Sequence, residues 1–169
     1  RSYDVEHYRI QVSFDESAGK VIGATTVTLH PLRPHFSTVV LDAVNMTIHS
    51  ISTGQGRRLE FEYDSARISV KLEREYKYGE KLMLVIRYEC KPERGLYFIS
   101  PNASYPANPD QIWTQGQGED NRHWFPCYDY PCDKATSEVI MTVRGDYETL
   151  SNGILRSKKR NPDGTITWH

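Results

Sequence analysis

Through residues 1–90, apolar and polar side chains alternate with a period of two, the spacing of a strand with one buried face. Tyr8, Ile10, Val12 and Phe14 alternate with His7, Arg9, Gln11, Ser13 and Asp15. Ser17-Ala18-Gly19-Lys20 then supplies a turn, and Val21, Gly23, Thr25, Val27 and Leu29 return on alternate positions, which predicts a hairpin or meander. His30-Pro31-Leu32-Arg33-Pro34 ends that strand, because proline cannot donate to the sheet ladder. Further strands are predicted over 39–41, 46–51, 59–63, 68–72 and 82–90, with turn signals at Gly54-Gln55-Gly56 and Tyr78-Gly79-Glu80-Lys81. No stretch repeats apolar residues at i, i+3, i+4 for three turns, so no amphipathic helix is expected. Many short strands separated by turns predict an all-β fold, a sandwich or open barrel.

The pattern breaks over residues 91–136. Pro92, Pro101, Pro106, Pro109, Pro126 and Pro131 punctuate this stretch, and Trp113, Gln115, Gln117, Arg122, Trp124, Cys127 and Cys132 concentrate in it. A long irregular connection inside a compact domain usually serves a function, so this stretch is where a site is sought. Strand patterns resume over 138–143, over 149–155 around Asn152-Gly153, and over 165–169, the last still in strand pattern at His169.

Composition narrows the functional classes. The chain has 169 residues with 21 basic and 22 acidic side chains, a formal net charge of -1, and no long run of one sign. That balance offers no electrostatic claim on nucleic acid or an anionic membrane. No apolar run reaches the roughly 20 residues that a membrane-spanning helix needs. No basic segment followed by an apolar core opens the chain, so no signal peptide is read there. Cys90, Cys127 and Cys132 are odd in number. A Cys127–Cys132 bridge and buried free thiols are the two readings open to them. Asn45-Met46-Thr47 and Asn102-Ala103-Ser104 match the glycosylation acceptor triplet, a pattern that also arises by chance.

The irregular stretch carries Trp113-Thr114-Gln115-Gly116-Gln117, then Arg122, then Phe125-Pro126-Cys127-Tyr128-Asp129-Tyr130-Pro131, then Lys134-Ala135-Thr136. Tyr3-Asp4-Val5, Leu41-Asp42-Ala43, Gly79-Glu80, Gly95-Leu96-Tyr97-Phe98 and Ser151-Asn152-Gly153 flank it in order. Together these motifs, spread over essentially the whole chain, resemble the N-terminal domain of the aminopeptidase N family of gluzincin zinc metallopeptidases. Tyr130 departs from the glutamate, and Cys132 from the small or apolar residue, that relatives commonly carry. The resemblance implies a saddle-like β-sandwich of mostly antiparallel strands with one long irregular loop. It implies that residues 1–169 form a single N-terminal domain whose own catalytic domain is missing here, together with the zinc that domain would hold. It also implies a peptide substrate whose free α-amine is held in part by Gln117, with Gln115 as a second substrate-side position. A neutral amide oxygen suits that task, since it accepts a hydrogen bond from an ammonium without burying a second charge.

Plainer readings stand beside these. Gln117 has a plainer reading as a solvated loop amide, and Gln115 as an amide bonded to the backbone of its own loop. Glu119 and Asp120 read as a surface acidic pair. Arg122, Asp129 and Lys134 read as partners that fix the loop, because buried charges persist only when paired. Trp113, Trp124 and Phe125 read as packing anchors. His123, Cys127 and Cys132 fall short of the two closely spaced pairs of a structural zinc site, and no histidine lies in an H-E-x-x-H arrangement. No cofactor is expected in this chain. The reading from another functional class is a scaffold or protein-interaction domain of a non-catalytic relative; a lectin-like sandwich is more remote.

Overall fold

The computed structural model describes residues 1–169. Its strands are β1 (Tyr3–Asp15), β2 (Lys20–Pro31), β3 (Phe36–Asp42), β4 (Met46–Thr53), β5 (Glu60–Tyr63), β6 (Arg67–Tyr76), β7 (Leu82–Cys90), β8 (Leu96–Ile99), β9 (Gln111–Thr114), β10 (Thr136–Val143), β11 (Lys158–Arg160) and β12 (Ile166–Trp168). A single 3₁₀ turn at Asn121–His123 is the one helical element. A seven-stranded sheet runs β11-β12-β10-β1-β2-β7-β4, a three-stranded sheet runs β3-β6-β5, and β8 pairs with β9. All pairings are antiparallel except β1 with β10, so the large sheet is mixed. The all-β sandwich expected from alternation is what forms.

Two irregularities in register explain the burial pattern. Between Val5 and His7 the pairing with β2 slips by a residue. Tyr3 and Val5 therefore face the core at odd positions, while Ile10 and Val12 face it at even ones. A second slip between Ile48 and Ser50 does the same for β4, putting Met46 and Ile51 both inside. The core lies between the large sheet, through Val5, Val27, Leu29, Ile51, Leu84 and Ile86, and the small sheet, through Val39, Leu41, Ile68 and Val70. A smaller apolar cluster of Val143, Ile166 and Trp168 holds β12 to the far end of β10.

Two expectations need correcting. Residues 91–136 contain a hairpin, β8 with β9, in which Leu96 to Ile99 is apolar or aromatic throughout, so alternation cannot reveal it. No strand forms over 149–155: Leu150, Ile154 and Leu155 are 98%, 73% and 64% exposed. The strand comes later, at Lys158–Arg160, where there is no apolar residue; β12, paired along it, supplies the reason for it to be extended.

Candidate functional site

The β8–β9 hairpin sets the start of the loop that bears both glutamines. Leu96 pairs with Thr114, and the Gln115 backbone N–H adds a further bond to the Gly95 carbonyl at 2.9 Å. Gly95 has φ +76°, and a Cβ there would lie 2.0 Å from the Asp120 carbonyl oxygen. Only glycine allows the loop to fold back this closely. Gly118, at φ +84°, makes the sharp reversal beyond Gln117. A Cβ at Gly116 would meet the Asn121 side chain at 2.2 Å. Position 118 thus requires glycine for the turn, while Gly116 lets the Asn121 side chain of the 3₁₀ element lie close against it.

Behind that turn the chain is anchored by packing and by charge. Trp124 and Phe125 are buried, with ring centroids 4.5 Å apart, and Phe125 meets Tyr8 edge to face. Trp113 is no such anchor: it stacks one face on Tyr97 at 4.6 Å and is 46% exposed. Arg122 donates from Nε and from its backbone N–H to Asp129 Oδ2, at 3.2 and 3.0 Å. Its Nη1 lies 3.6 Å from Asp42 Oδ1, and Nη2 pairs with Glu119. Burial opposes the guanidinium charge, but the Asp129 hydrogen bond and the charges of Asp42, Asp129 and Glu119 outweigh it and raise the Arg122 pKa. Asp42 and Asp129 are both buried, and the Asp129 backbone N–H donates to Asp42 Oδ2 at 3.2 Å. Backbone bonds between Asp42 and Cys127 in both directions, at 2.7 and 3.0 Å, complete the knot between β3 and the loop. Glu119 belongs to this knot, whereas Lys134 is exposed and enters no ion pair.

The cysteines are all free, with Cys90 and Cys127 buried and Cys132 exposed. Burial pushes the Cys90 thiol up to about 12, and burial together with Asp129 and Asp42 raises Cys127 well above its usual range. No three of the His, Cys, Asp and Glu side chains converge on a point able to hold a metal ion.

Gln117 is exposed and lines a groove of 1310 Å³. The floor of the groove continues the core face of the large sheet beyond the cover of the small one, with Ile10 and Val12 from β1 and Val139 and Met141 from β10. The β8–β9 hairpin and the 116–131 loop form one wall; residues 146–152 form part of the rim. Neither glutamine amide has a hydrogen-bond partner within the chain, and Gln115, though exposed, does not line the groove. The structure therefore separates the two glutamines and leaves the Gln117 amide free to bond a ligand. Sequence reading missed the acidic rim of the groove, Asp110, Asp146 and Glu148, because those residues come from separate irregular segments that no local pattern connects.

Comparison with known proteins places this arrangement. Residues 4–169 match the model of the Peptidase M1 N-terminal domain family. The leucyl aminopeptidase of Saccharolobus solfataricus is 28% identical over 162 residues, covering 93% of this chain and 19% of that protein. The tricorn protease-interacting factor F2 of Thermoplasma acidophilum is 27% identical over 154 residues, covering 88% of this chain and 18% of that protein. The crystal structure of an M1 zinc metallopeptidase from Deinococcus radiodurans superposes with a TM-score of 0.83 at 24% identity, covering 99% of this chain and 38% of that one; at this identity the likeness speaks for the fold. The chain thus spans less than a fifth of these curated relatives. The zinc of such metallopeptidases finds no ligand set among the residues present here. A family match over nearly the full length, on an all-β sandwich superposable on a solved relative, leads to one conclusion: the chain belongs to the Peptidase M1 N-terminal domain family.

Proposed function

We propose that this chain is the substrate-framing N-terminal domain of a zinc aminopeptidase that removes N-terminal residues from peptides, and that Gln117 helps hold the substrate α-amine. Residues 1–169 make up one domain in this reading, and the zinc and the hydrolytic machinery belong to a catalytic domain that packs against it. The observation that carries the proposal is the state of Gln117. Its amide lies at a groove, has no partner in the chain, and is set by a turn that Gly118 makes. An acceptor at this place supports catalysis through orientation: an ammonium held at one distance from the reacting centre limits cleavage to the first peptide bond. Gln115 has a lesser part, its backbone closing the hairpin that positions Gln117.

The test joins this chain to its natural continuation and measures hydrolysis of aminoacyl reporter substrates. Gln117→Ala should lower kcat/KM by about ten- to a hundredfold, the loss of one hydrogen bond to a charged group. Unchanged kinetics would remove Gln117 from the amine site. The same change at Gln115 should have the smaller effect.

A further inference from the structure

Gln117 sits on a turn that little in its immediate surroundings fixes. The Gln117, Gly118 and Glu119 backbone N–H groups meet no acceptor in the chain. The backbone bonds that close the turn lie at its ends, from Gln115 N–H to the Gly95 carbonyl at 2.9 Å and from Asp120 N–H to the Gly116 carbonyl at 3.5 Å. Nothing packs against Gly118, where a Cβ would find no atom within 4 Å. Among residues 115–120, one side chain alone makes a hydrogen bond: the Glu119 carboxylate accepts from Arg122 Nη2.

The 3₁₀ turn explains why these two meet. Residues three apart eclipse in such a helix, and Asp120 enters it at φ −95°, ψ −4°, so positions 119 and 122 come onto one side. Arg122 is a firm post for the tie. Its Nε donates to Asp129 and its Nη1 faces Asp42, acids whose side chains are 5% and 6% exposed, whereas that of Glu119 is 45% exposed. A guanidinium is a planar, rigid fork, so holding two of its arms fixes where the third one points. That third arm reaches the residue two places beyond Gln117. Removing Glu119 takes nothing from the buried pairs, so the fold and the placing of Gln117 are separable here.

We infer that Glu119 is a positioning residue: its ion pair with Arg122 holds the turn that carries Gln117, and so sets where the Gln117 amide meets the substrate amine. Its effect on catalysis rests on the aminopeptidase reading; its effect on the turn rests on this chain alone. An acceptor on a turn free to move spreads the ammonium over several positions, and the rate falls with the share of misplaced complexes. Asp120, the acid next to Glu119, makes no side-chain cap bond and serves as the comparison.

Two measurements test this. In this chain joined to its natural continuation, Glu119→Ala should lower kcat/KM for aminoacyl reporter substrates about two- to fivefold, the scale of one partly exposed ion pair. The loss should shrink as salt rises, because such a pair is screened. Asp120→Asn removes a charge from nearly the same place and should leave kcat/KM unchanged. In a Gln117→Ala background, Glu119→Ala should cost nothing further. An equal loss in that background, or from Asp120→Asn, would overturn the inference, since Glu119 would then act through the fold or through its charge on the substrate. In this chain itself, nitrogen-15 relaxation should show the Gly118 order parameter falling from about 0.85 toward about 0.6 in Glu119→Ala. Circular dichroism checks that the variant is folded. An order parameter that does not move would also overturn the inference. The two readings fail differently. If Gln117→Ala leaves the kinetics unchanged while Glu119→Ala loosens the turn, the amine reading falls and the tie stands. If Gln117→Ala lowers kcat/KM and Glu119→Ala does not, the tie falls and the amine reading stands.

Discussion

At Glu80 the carboxylate accepts hydrogen bonds from the Arg74 guanidinium and from the Lys77 backbone N–H, and these hold its pKa at about 2 against an ordinary 4.5. A carboxyl whose folded pKa is depressed adds stability that is fully present above its unfolded value. That stability fades as pH falls through the folded one. Glu80→Gln should therefore lower the urea midpoint above pH 4.5, and the gap between variant and parent should close as pH approaches 2. A gap that stays constant across that range would show that Glu80 acts through shape rather than charge. Residue-scale features such as this are partly legible in a sequence: Tyr78-Gly79-Glu80-Lys81 reads as a turn, and Gly79 does take φ +71°. The partner of Glu80 is not legible, because it comes from the preceding strand. The cysteines repeat the lesson. Their odd number left a bridge open, and burial of Cys127 beside Asp42 with Cys132 in solvent decides for free thiols.

Among the elements, β1 to β7 follow from alternation because each has one wet and one dry face, so its residue order records its orientation. The β8–β9 hairpin escapes that reading, since each strand has four residues and Leu96 to Ile99 is apolar or aromatic throughout. The 149–155 segment misleads in the opposite sense: its spaced apolar residues have no facing layer to bury them. The element that matters most to the site is the 115–129 loop, and its shape depends on the Asp42–Arg122–Asp129 knot. Arg122→Met should leave Asp129 buried without its counter-ion and Asp42 with Arg67 alone, at 3.5 Å, costing about 3–5 kcal/mol of folding stability. Denaturant unfolding measures this directly. If the loss is under about 1 kcal/mol, the knot is relaxed by solvent and the backbone bonds between Asp42 and Cys127 carry the loop alone.

For the whole molecule, one feature stands out from the burial pattern. Leu150, Ile154 and Leu155 lie bare in solvent within a few residues of one another. Apolar clusters of this kind on a folded chain mark contact surfaces. This chain alone should self-associate at high concentration, and Leu150→Ser/Ile154→Asn/Leu155→Ser should restore monomeric sedimentation. A parent chain that sediments as a monomer throughout would refute this. The family resemblance was legible in the run from Trp113 to Thr136, where Gly118 takes the positive φ of the turn and Arg122 meets Asp129 seven residues on. By itself the sequence determined the all-β class and the succession of strands through β7, since each depends on neighbours two residues apart or on a turn. Only the tertiary structure decided that β1 runs parallel to β10, that β12 braces β11, and that Gln117 meets a groove which Gln115 does not. Those outcomes rest on contacts between residues distant in the chain. The free energy of such contacts comes from burial and charge pairing that no local pattern records.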